Sequence, residues 1–538
     1  MAKRSTFVLV AAAAASLPSC AKPSPERAER PRLIVQITFD QLRGDLLERY
    51  RPAFTRGFKR VLDEGWWGRQ GDTPHGLTVS FPGHATLATG MYPSHHGLTA
   101  NEWWEEAGGR WRPVSVVSDA RYRILGRRAE GGVSPAQMTA TSLADWVKAA
   151  SPAARTVAIG SDAAIVYGGR KPDALYWFDA SAGGYTTSTY YGVKRKSWID
   201  ALNRRAAGLP RAWDISVPPQ WRRLAQRLSR CTPFGASPTW AGARLLGPHR
   251  YTPAGGNAEA GFLSWAGSTP LLDDDLLRQV PAIVRDEMLG RDEVPDYLAL
   301  AIGATDSVGH EYGAVSLEQL DTLIRLDRAL GAMLDSLDRV VGKGRYVVAI
   351  SADHGVADPP EETCTHRVSN AEIDALLDRV ERIARGHRRS RDDLVGKIVA
   401  ELKRAPFVGD VYTEEELASV APGDWKSELM KRSFRAQHTT DFPLWSERPR
   451  PFHPARYGIS VQFKPGVIFS YARAVHGSPY AYDRIVPLIF YGAGVPRGGA
   501  RSGGRTVDLA PTLAELGGVP RPSNLDGKSL AASWRRRR

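Results

Sequence analysis

Aspartates and histidines recur in this chain where short apolar runs stop. Asp40 closes the run LIVQITF, Asp306 and His310 follow DYLALAI within GATDSVGH, and Asp353 and His354 follow YVVAIS. Carboxylate and imidazole gathered at one place form a donor set that suits zinc. Asp306 and His310, four residues apart, can reach one ion from one helix face, and the adjacent Asp353 and His354 can splay towards one or two. His476, in the Gly/Pro turn AVHGSPY, is the best candidate for the further neutral ligand that completes two three-ligand sites. Taken singly, these fragments also read as a helix cap, a solvated pair and a turn; standing together on one sheet they point to metal. Ser80, in TVSFPGH, supplies a hydroxyl at a turn. Residues 85–89 can continue as helix, with Gly90 as its stop. A hydroxyl at a helix start sits where backbone N–H groups and the dipole favour an anion. That placement suits attack on phosphorus or sulfur once a base or a metal activates the oxygen, although by itself Ser80 reads as readily as an N-cap.

The elements that must position these groups alternate in type. Strands are expected at 33–39, 156–159, 296–302 and 346–351, with a hairpin over 174–179 and 184–188. A strand at 486–491 is expected on a sheet edge, because Pro487 cannot donate to a ladder. Helices are expected at 41–50, 54–65, 271–288 (broken near Pro281), 316–341, 371–385 (capped by Asn370), 392–405 and from 507. This order predicts an α/β fold: a mostly parallel central sheet with helices on both faces. In such sheets ligands collect at the carboxyl ends of the strands. Residues 190–280, rich in Pro, Gly, Trp and Arg, are expected to be an irregular insertion folded onto the main sheet and shaping the pocket.

The chain has 538 residues, 42% hydrophobic and 24% charged, with a formal net charge of +14. The basic excess favours phosphate esters, nucleic acid or an acidic membrane as partners. It is scattered apart from Arg535–Arg538, with no aromatic-interleaved basic stripe, so nucleic acid as a structural partner is the weaker reading. Residues 1–20 read as a signal peptide: a basic start, a short apolar stretch, then LPSC, similar to a lipobox with Cys20 as the lipidated residue. Plain secretion is the alternative, since Pro18 is unusual in that motif. Residues 21–31 read as a tether, 32–530 as the catalytic unit and 531–538 as a basic tail. The protein is expected to be exported, periplasmic or outer-membrane-anchored, and to touch membrane only through a lipid anchor. Cys231 and Cys364 are left as a candidate pair.

The segments TFDQLRGDLL, SFPGHATLATGMYPSHHGLTANEW, GATDSVGHEYG, SADHGV and HGSPYAYDRIVPLIFYG resemble the alkaline phosphatase superfamily. The resemblance is to its secreted phosphate-irrepressible alkaline phosphatases and their nucleotide pyrophosphatase/phosphodiesterase relatives, and spans about residues 32 to 530. It implies an alkaline-phosphatase-like sheet carrying two zinc ions. Asp306, His310 and His476 would hold one. Asp40, Asp353 and His354 would hold the other, with the oxygen of Ser80 beside it, where the relatives carry Thr. Asn101 falls where the family hydrogen-bonds a phosphoryl oxygen. The implied mechanism is attack by a zinc-activated Ser80, a phosphoserine intermediate, and leaving-group charge carried by the other ion. One departure matters. The monoesterase branch carries a Lys-x-Arg pair after the strand matching 156–159, whereas this chain has Gly160-Ser161-Asp162-Ala163. Asp162 would repel a dianion, which leans the reading towards phosphodiesters, unless Arg170 or Lys171 fills in. The alternatives are a broad alkaline phosphomonoesterase, a formylglycine sulfatase or phosphonate hydrolase (disfavoured because His84 replaces the Arg of its maturation motif), and a non-catalytic lipoprotein that binds metal or anions.

Overall fold

The computed structural model describes residues 30–535, apart from 222–247 and short breaks at 108–109, 129–130, 193–194, 254, 256, 388–389, 422, 437, 439, 441, 445, 447–449, 451–452 and 470–471. The expected leader and tether up to residue 29 lie outside the described residues, as do Cys20 and Cys231; Cys364 is disulfide-bonded. No helix among the described residues is long and apolar enough to cross a membrane.

The central sheet has nine strands: β1 (Leu33–Phe39), β2 (Trp66–Asp72), β3 (Thr156–Gly160), β4 (Ala174–Asp179), β5 (Gly184–Thr186), β6 (Asp296–Ile302), β7 (Tyr346–Ser351), β8 (Ile485–Gly492) and β9 (Gly498–Arg505). Their order is β9-β2-β8-β7-β1-β6-β3-β4-β5. The run β7-β1-β6-β3-β4 is parallel throughout, while β8 is antiparallel to both its neighbours. The expected α/β fold with a mostly parallel sheet is therefore present, mixed towards its β8 side. β1 is buried along its whole length because both faces of the sheet are covered. Leu33, Val35, Ile37 and Phe39 enter one apolar core and Ile34 the other, as the two-residue period of a strand requires. Its two polar side chains are satisfied internally: Gln36 accepts from the Tyr297 hydroxyl at 2.8 Å, and Thr38 pairs with the Tyr167 hydroxyl at 2.7 Å.

Two expectations are corrected. β8 is an interior strand, not an edge. Its register against β2 shifts between Val486 and Leu488, so a bulge removes the ladder bond that Pro487 cannot donate, and the Pro487 carbonyl accepts from Ser351 Oγ at 2.8 Å. The stretch 190–280 is less irregular than expected, although the described residues of 208–221 and 248–257 hold only two-residue paired strands and short turns. It contains helices Ser197–Ala207, Ala258–Gly267 and Pro270–Asp286, and Trp198, Leu202, Leu263, Leu276 and Val280 belong to one of the two main cores. The helix expected at 271–288 runs unbroken through Pro281, while polar residues between apolar positions obscure the period of the other two in the sequence. The long helix expected at 316–341 runs Leu317–Leu337 with Ser316 as its N-cap, then widens into a π-turn over Asp338–Gly342.

Between β7 and β8 the chain builds a further unit with its own apolar core. Helices Asn370–Gly386 and Arg391–Lys403 share a core with an antiparallel strand pair, Val408–Thr413 and Ile459–Phe463. The first of these helices is capped by Ser369, with Glu372 closing a capping box, rather than by Asn370. His476 lies on the return path from this unit to β8.

Candidate active site

Each expected ligand follows a strand of the parallel run or stands on a loop facing its carboxyl end. The Asp40 amide bonds the Ile302 carbonyl at 2.9 Å, extending the β1–β6 ladder by one step. Asp306 and His310 share one face of helix α1 (Ala304–Tyr312). Asp353 and His354 follow β7 directly, and His476 meets them across the gap.

The structure brings all six together. His310 Nε2 lies 3.1 Å from Asp306 Oδ1, and His476 Nε2 lies 3.8 Å from the same oxygen. His354 Nε2 is 3.1 Å from Asp353 Oδ2 and 3.6 Å from Asp40 Oδ1. The rings of His354 and His476 stack with centroids 3.6 Å apart, so the two groups adjoin. Ser80 opens helix α2 (Ser80–Thr89) and is half-buried; the N-cap is Val79, so the plain capping reading of Ser80 fails. Its Oγ lies 3.5 Å from His354 Nε2. Asn101 Oδ1 accepts the Phe81 backbone N–H at 2.9 Å, which leaves the Asn101 amide N–H groups for the cavity it lines.

Two contributors escaped the sequence reading. The sequence marks His84 only as a departure from a maturation motif. It is fully buried, with Nε2 3.2 Å from Asp40 Oδ2 and 3.4 Å from Asp353 Oδ2, and Nδ1 2.8 Å from the Tyr167 hydroxyl. Its place one helical turn after Ser80, on the same face, was the available signal. Gln41 adopts a left-handed backbone, φ 62°. Its N–H donates to Asp353 Oδ1 at 3.1 Å and its side-chain amide to Asp306 Oδ1 at 2.6 Å, so one residue grips both groups. Gly83 is demanded by contact: a Cβ there would fall 2.5 Å from the Asp353 carbonyl oxygen.

The chemistry of these groups fits cations. Asp40 Oδ1 and Asp353 Oδ2 are buried without a hydrogen-bond partner, an arrangement that is unfavourable for carboxylates unless a positive charge meets them. Burial pushes the Asp353 carboxyl well above the usual range and Asp40 adds to it; burial and then Asp306 do the same to Asp40. Burial also raises Asp306, but His310 and His476 outweigh it and bring that carboxyl below its ordinary value. His310, His354 and His476 all place Nδ1 on a backbone carbonyl, of Ala474 at 2.7 Å, Gly355 at 2.9 Å and Thr78 at 2.8 Å. A carbonyl only accepts, so Nδ1 carries the hydrogen and Nε2 presents its lone pair to the site, the orientation of a metal-ligating imidazole. Burial holds His354 and His476 well below the ordinary imidazole value, hence neutral.

Residues 160–163 stand where the sequence placed them. Ser161 and Asp162 line a cavity with Ser80 and Asn101, and Asp162 is exposed in it. Neither Arg170 nor Lys171 lines that cavity. Arg127 does, tied to Asp179 at 2.8 Å and Ser181 at 2.9 Å.

A sheet that ends in two Asp/His groups beside a helix-borne hydroxyl matches known proteins at the level of sequence as well. The chain belongs to the family of type I phosphodiesterases and nucleotide pyrophosphatases, whose model matches residues 34–434, and it is a phosphate-ester hydrolase of the alkaline phosphatase superfamily. Among its relatives, alkaline phosphatase PafA of Elizabethkingia meningoseptica is 27% identical over 93% of this chain and 94% of the relative. Alkaline phosphatase PhoK of Sphingomonas sp is 29% identical over 94% and 91%. The crystal structure of a PafA mutant superposes with a TM-score of 0.78 at 25% identity, covering 94% of this chain and 99% of that one.

Proposed function

We propose that this protein is a broad alkaline phosphomonoesterase in which Ser80 is the nucleophile. The observation that carries the reading is Ser80 Oγ at the start of a helix, 3.5 Å from His354 and beside two adjoining Asp/His groups. Asp306, His310 and His476 would hold one divalent ion, and Asp40, Asp353 and His354 the other; the mixed carboxylate–imidazole set favours zinc. Such ions, when bound, lower the pKa of a nearby hydroxyl and screen charge on the attacking and leaving oxygens.

The chain's own groups do the rest. The Ser80 hydroxyl gives its proton to solvent, its Oγ–P bond forms as the P–O bond to the alcohol breaks, and the departing alkoxide takes a proton back from water. Water then attacks the phosphoserine, releasing phosphate and restoring the Ser80 hydroxyl. Asn101, held by the Phe81 N–H, has its amide free to donate to a phosphoryl oxygen. His84 pins the Asp40 and Asp353 carboxylates from behind.

The curated relatives named alkaline phosphatases, aligned over more than nine-tenths of this chain, favour monoesters over the diester lean drawn from residues 160–163. Phosphodiester hydrolysis stays as the second reading on one observation: the wall beside Ser80 carries Asp162, and its guanidinium, Arg127, is engaged by Asp179. The ratio of kcat/KM for p-nitrophenyl phosphate to that for its bis ester, measured with zinc and with chelator, separates the two. A monoester excess that chelation abolishes is expected. A diester excess would reverse the assignment, and no zinc-dependent turnover of either would remove it. Export, suggested by residues 1–20, is part of the same proposal and is checked by fractionation and intact mass of the mature chain.

A further inference from the structure

Ser80, Asn101 and Asp306 stand at the junction of two cavities of opposite character. One, of about 510 Å³, is walled by Asp162, Asp179, Asp273 and Arg127. The other, of about 470 Å³, is walled by Leu77, Val79, Ala100, Phe442, Phe469 and Val475. Leu77, Val79 and Ala100 form a small apolar cluster apart from the main cores, with Phe442 packed against it. Phe442 is half-buried, and its ring meets that of Phe469 edge-on at 5.7 Å. Gly477, at φ 111°, lets the Phe442 ring press on the backbone next to His476; a Cβ there would fall 2.3 Å from the ring. Phe442 is thereby fixed relative to a ligand of the Asp306 group.

In-line displacement puts the nucleophile and the leaving oxygen on opposite sides of phosphorus. Ser80 Oγ sits by His354, so the leaving oxygen falls on the side of Asp306, His310 and His476. His310 and His476 line the apolar cavity and not the acidic one. The alcohol attached to the leaving oxygen therefore extends between the phenylalanines. Among the described residues lining this cavity none is Lys or Arg, and Glu102 stands in its wall, so a polyanionic leaving group meets no counter-charge there.

We infer that the cavity of Phe442 and Phe469 is the leaving-group subsite, and that it selects phosphate monoesters of aromatic and other apolar alcohols over those of small polar or anionic ones. The inference rests on the reading of Ser80 as nucleophile. Its test is kcat/KM of the zinc-loaded enzyme for ethyl, hexyl and 2-phenylethyl phosphate, whose alcohols are of nearly equal acidity, with glycerol phosphate and ATP alongside. The expected series rises with apolar size, by about tenfold from ethyl to 2-phenylethyl phosphate, as contacts with a hydrophobic pocket allow. Phe442→Ala should flatten the series, bringing the ratio of 2-phenylethyl to ethyl phosphate close to unity, and Phe442→Leu should lose part of that ratio. Ethyl phosphate turnover reports an intact site in each variant. A flat series in an active enzyme, or a preference for glycerol phosphate or ATP, overturns the subsite and leaves the phosphatase reading standing. Absence of turnover for every ester overturns both.

Discussion

The two ligand groups are made of the same residue types but are built differently. Asp40 and Asp353 leave the ends of neighbouring strands, are nearly or fully shielded from solvent, and each keeps one oxygen unpaired. Asp306, His310 and His476 stand on a helix and a loop and are only half-buried. The inner group is shaped by the sheet before any ion arrives, and His84, Tyr167 and Thr38 brace it in one hydrogen-bonded line. The outer group depends on two chain segments meeting, α1 and the return from the inserted unit, with the Ala474 carbonyl as the clasp on His310. The two groups thus differ in burial: the inner one is shielded beside Ser80 and the outer one opens to the cavities, which predicts tighter and slower-exchanging metal binding at the inner group.

The largest expected losses fall at Ser80 and the inner group. Ser80→Ala should reduce kcat by at least about 10³-fold while the protein still binds two ions by elemental analysis. Asp353→Asn should eliminate binding of the inner ion and with it turnover. If Asp353→Asn instead lost the outer ion first, the division by burial would be wrong. Next in size, His84→Ala should weaken the inner ion by about 10–100-fold, read as zinc affinity in competition with a chromophoric chelator, with the outer ion unaffected. Dilution into chelator should then release zinc from the wild type in two phases, the faster belonging to the group removed by His310→Ala. A single phase would mean that exposure does not govern release.

The smallest effect lies away from both groups. Asp483, buried and bonded to the Ser478 N–H at 2.8 Å, has its carboxyl pushed up to about 8 by burial. A raised folded value means that the folded state holds the proton more tightly than the unfolded one, so stability is full below about pH 4 and falls as pH rises towards 8. The Tm of the wild type should therefore drop relative to Asp483→Asn between pH 5 and 8, by on the order of 2 °C or more, then level off. A constant difference across that range would show that Asp483 is ionised when folded.

Much of this architecture is legible in the residues because the central strands are buried on both faces. LIVQITF, DYLALAI and YVVAIS carry nearly unbroken apolar runs, and the acidic residue that stops each run marks where water and ligand begin. Asp40, Asp306, His310, Asp353 and His354 stand out as candidate ligands for that reason, whereas Ser80 is reached through a helix start and His476 through a Gly/Pro turn. His84 and Gln41 are not legible, because each acts through a distant partner: the spacing in SFPGHA puts the ring on the face of Ser80, but neither it nor TFDQL shows that the ring meets Asp353 or that an amide reaches Asp306. β8 was misplaced because a proline argues for an edge unless the bulge that accommodates it is seen. The helices Ser197–Ala207 and Ala258–Gly267 are hidden because aromatic and charged residues blur the period on which the reading depends. The unit between β7 and β8 is legible as helices, but its role in delivering His476 and Phe442 comes only from tertiary packing.

Gln41 ties the two halves of the site to a single point in the chain. It holds the inner carboxylate with its main chain and the outer one with its side chain, from a backbone twist that few residues tolerate. Lengthening or shortening the loop between Phe39 and Leu42 by one residue would therefore displace both cradles at once. The separation of the two carboxylates is held by this one corner, apart from the walls of either cavity.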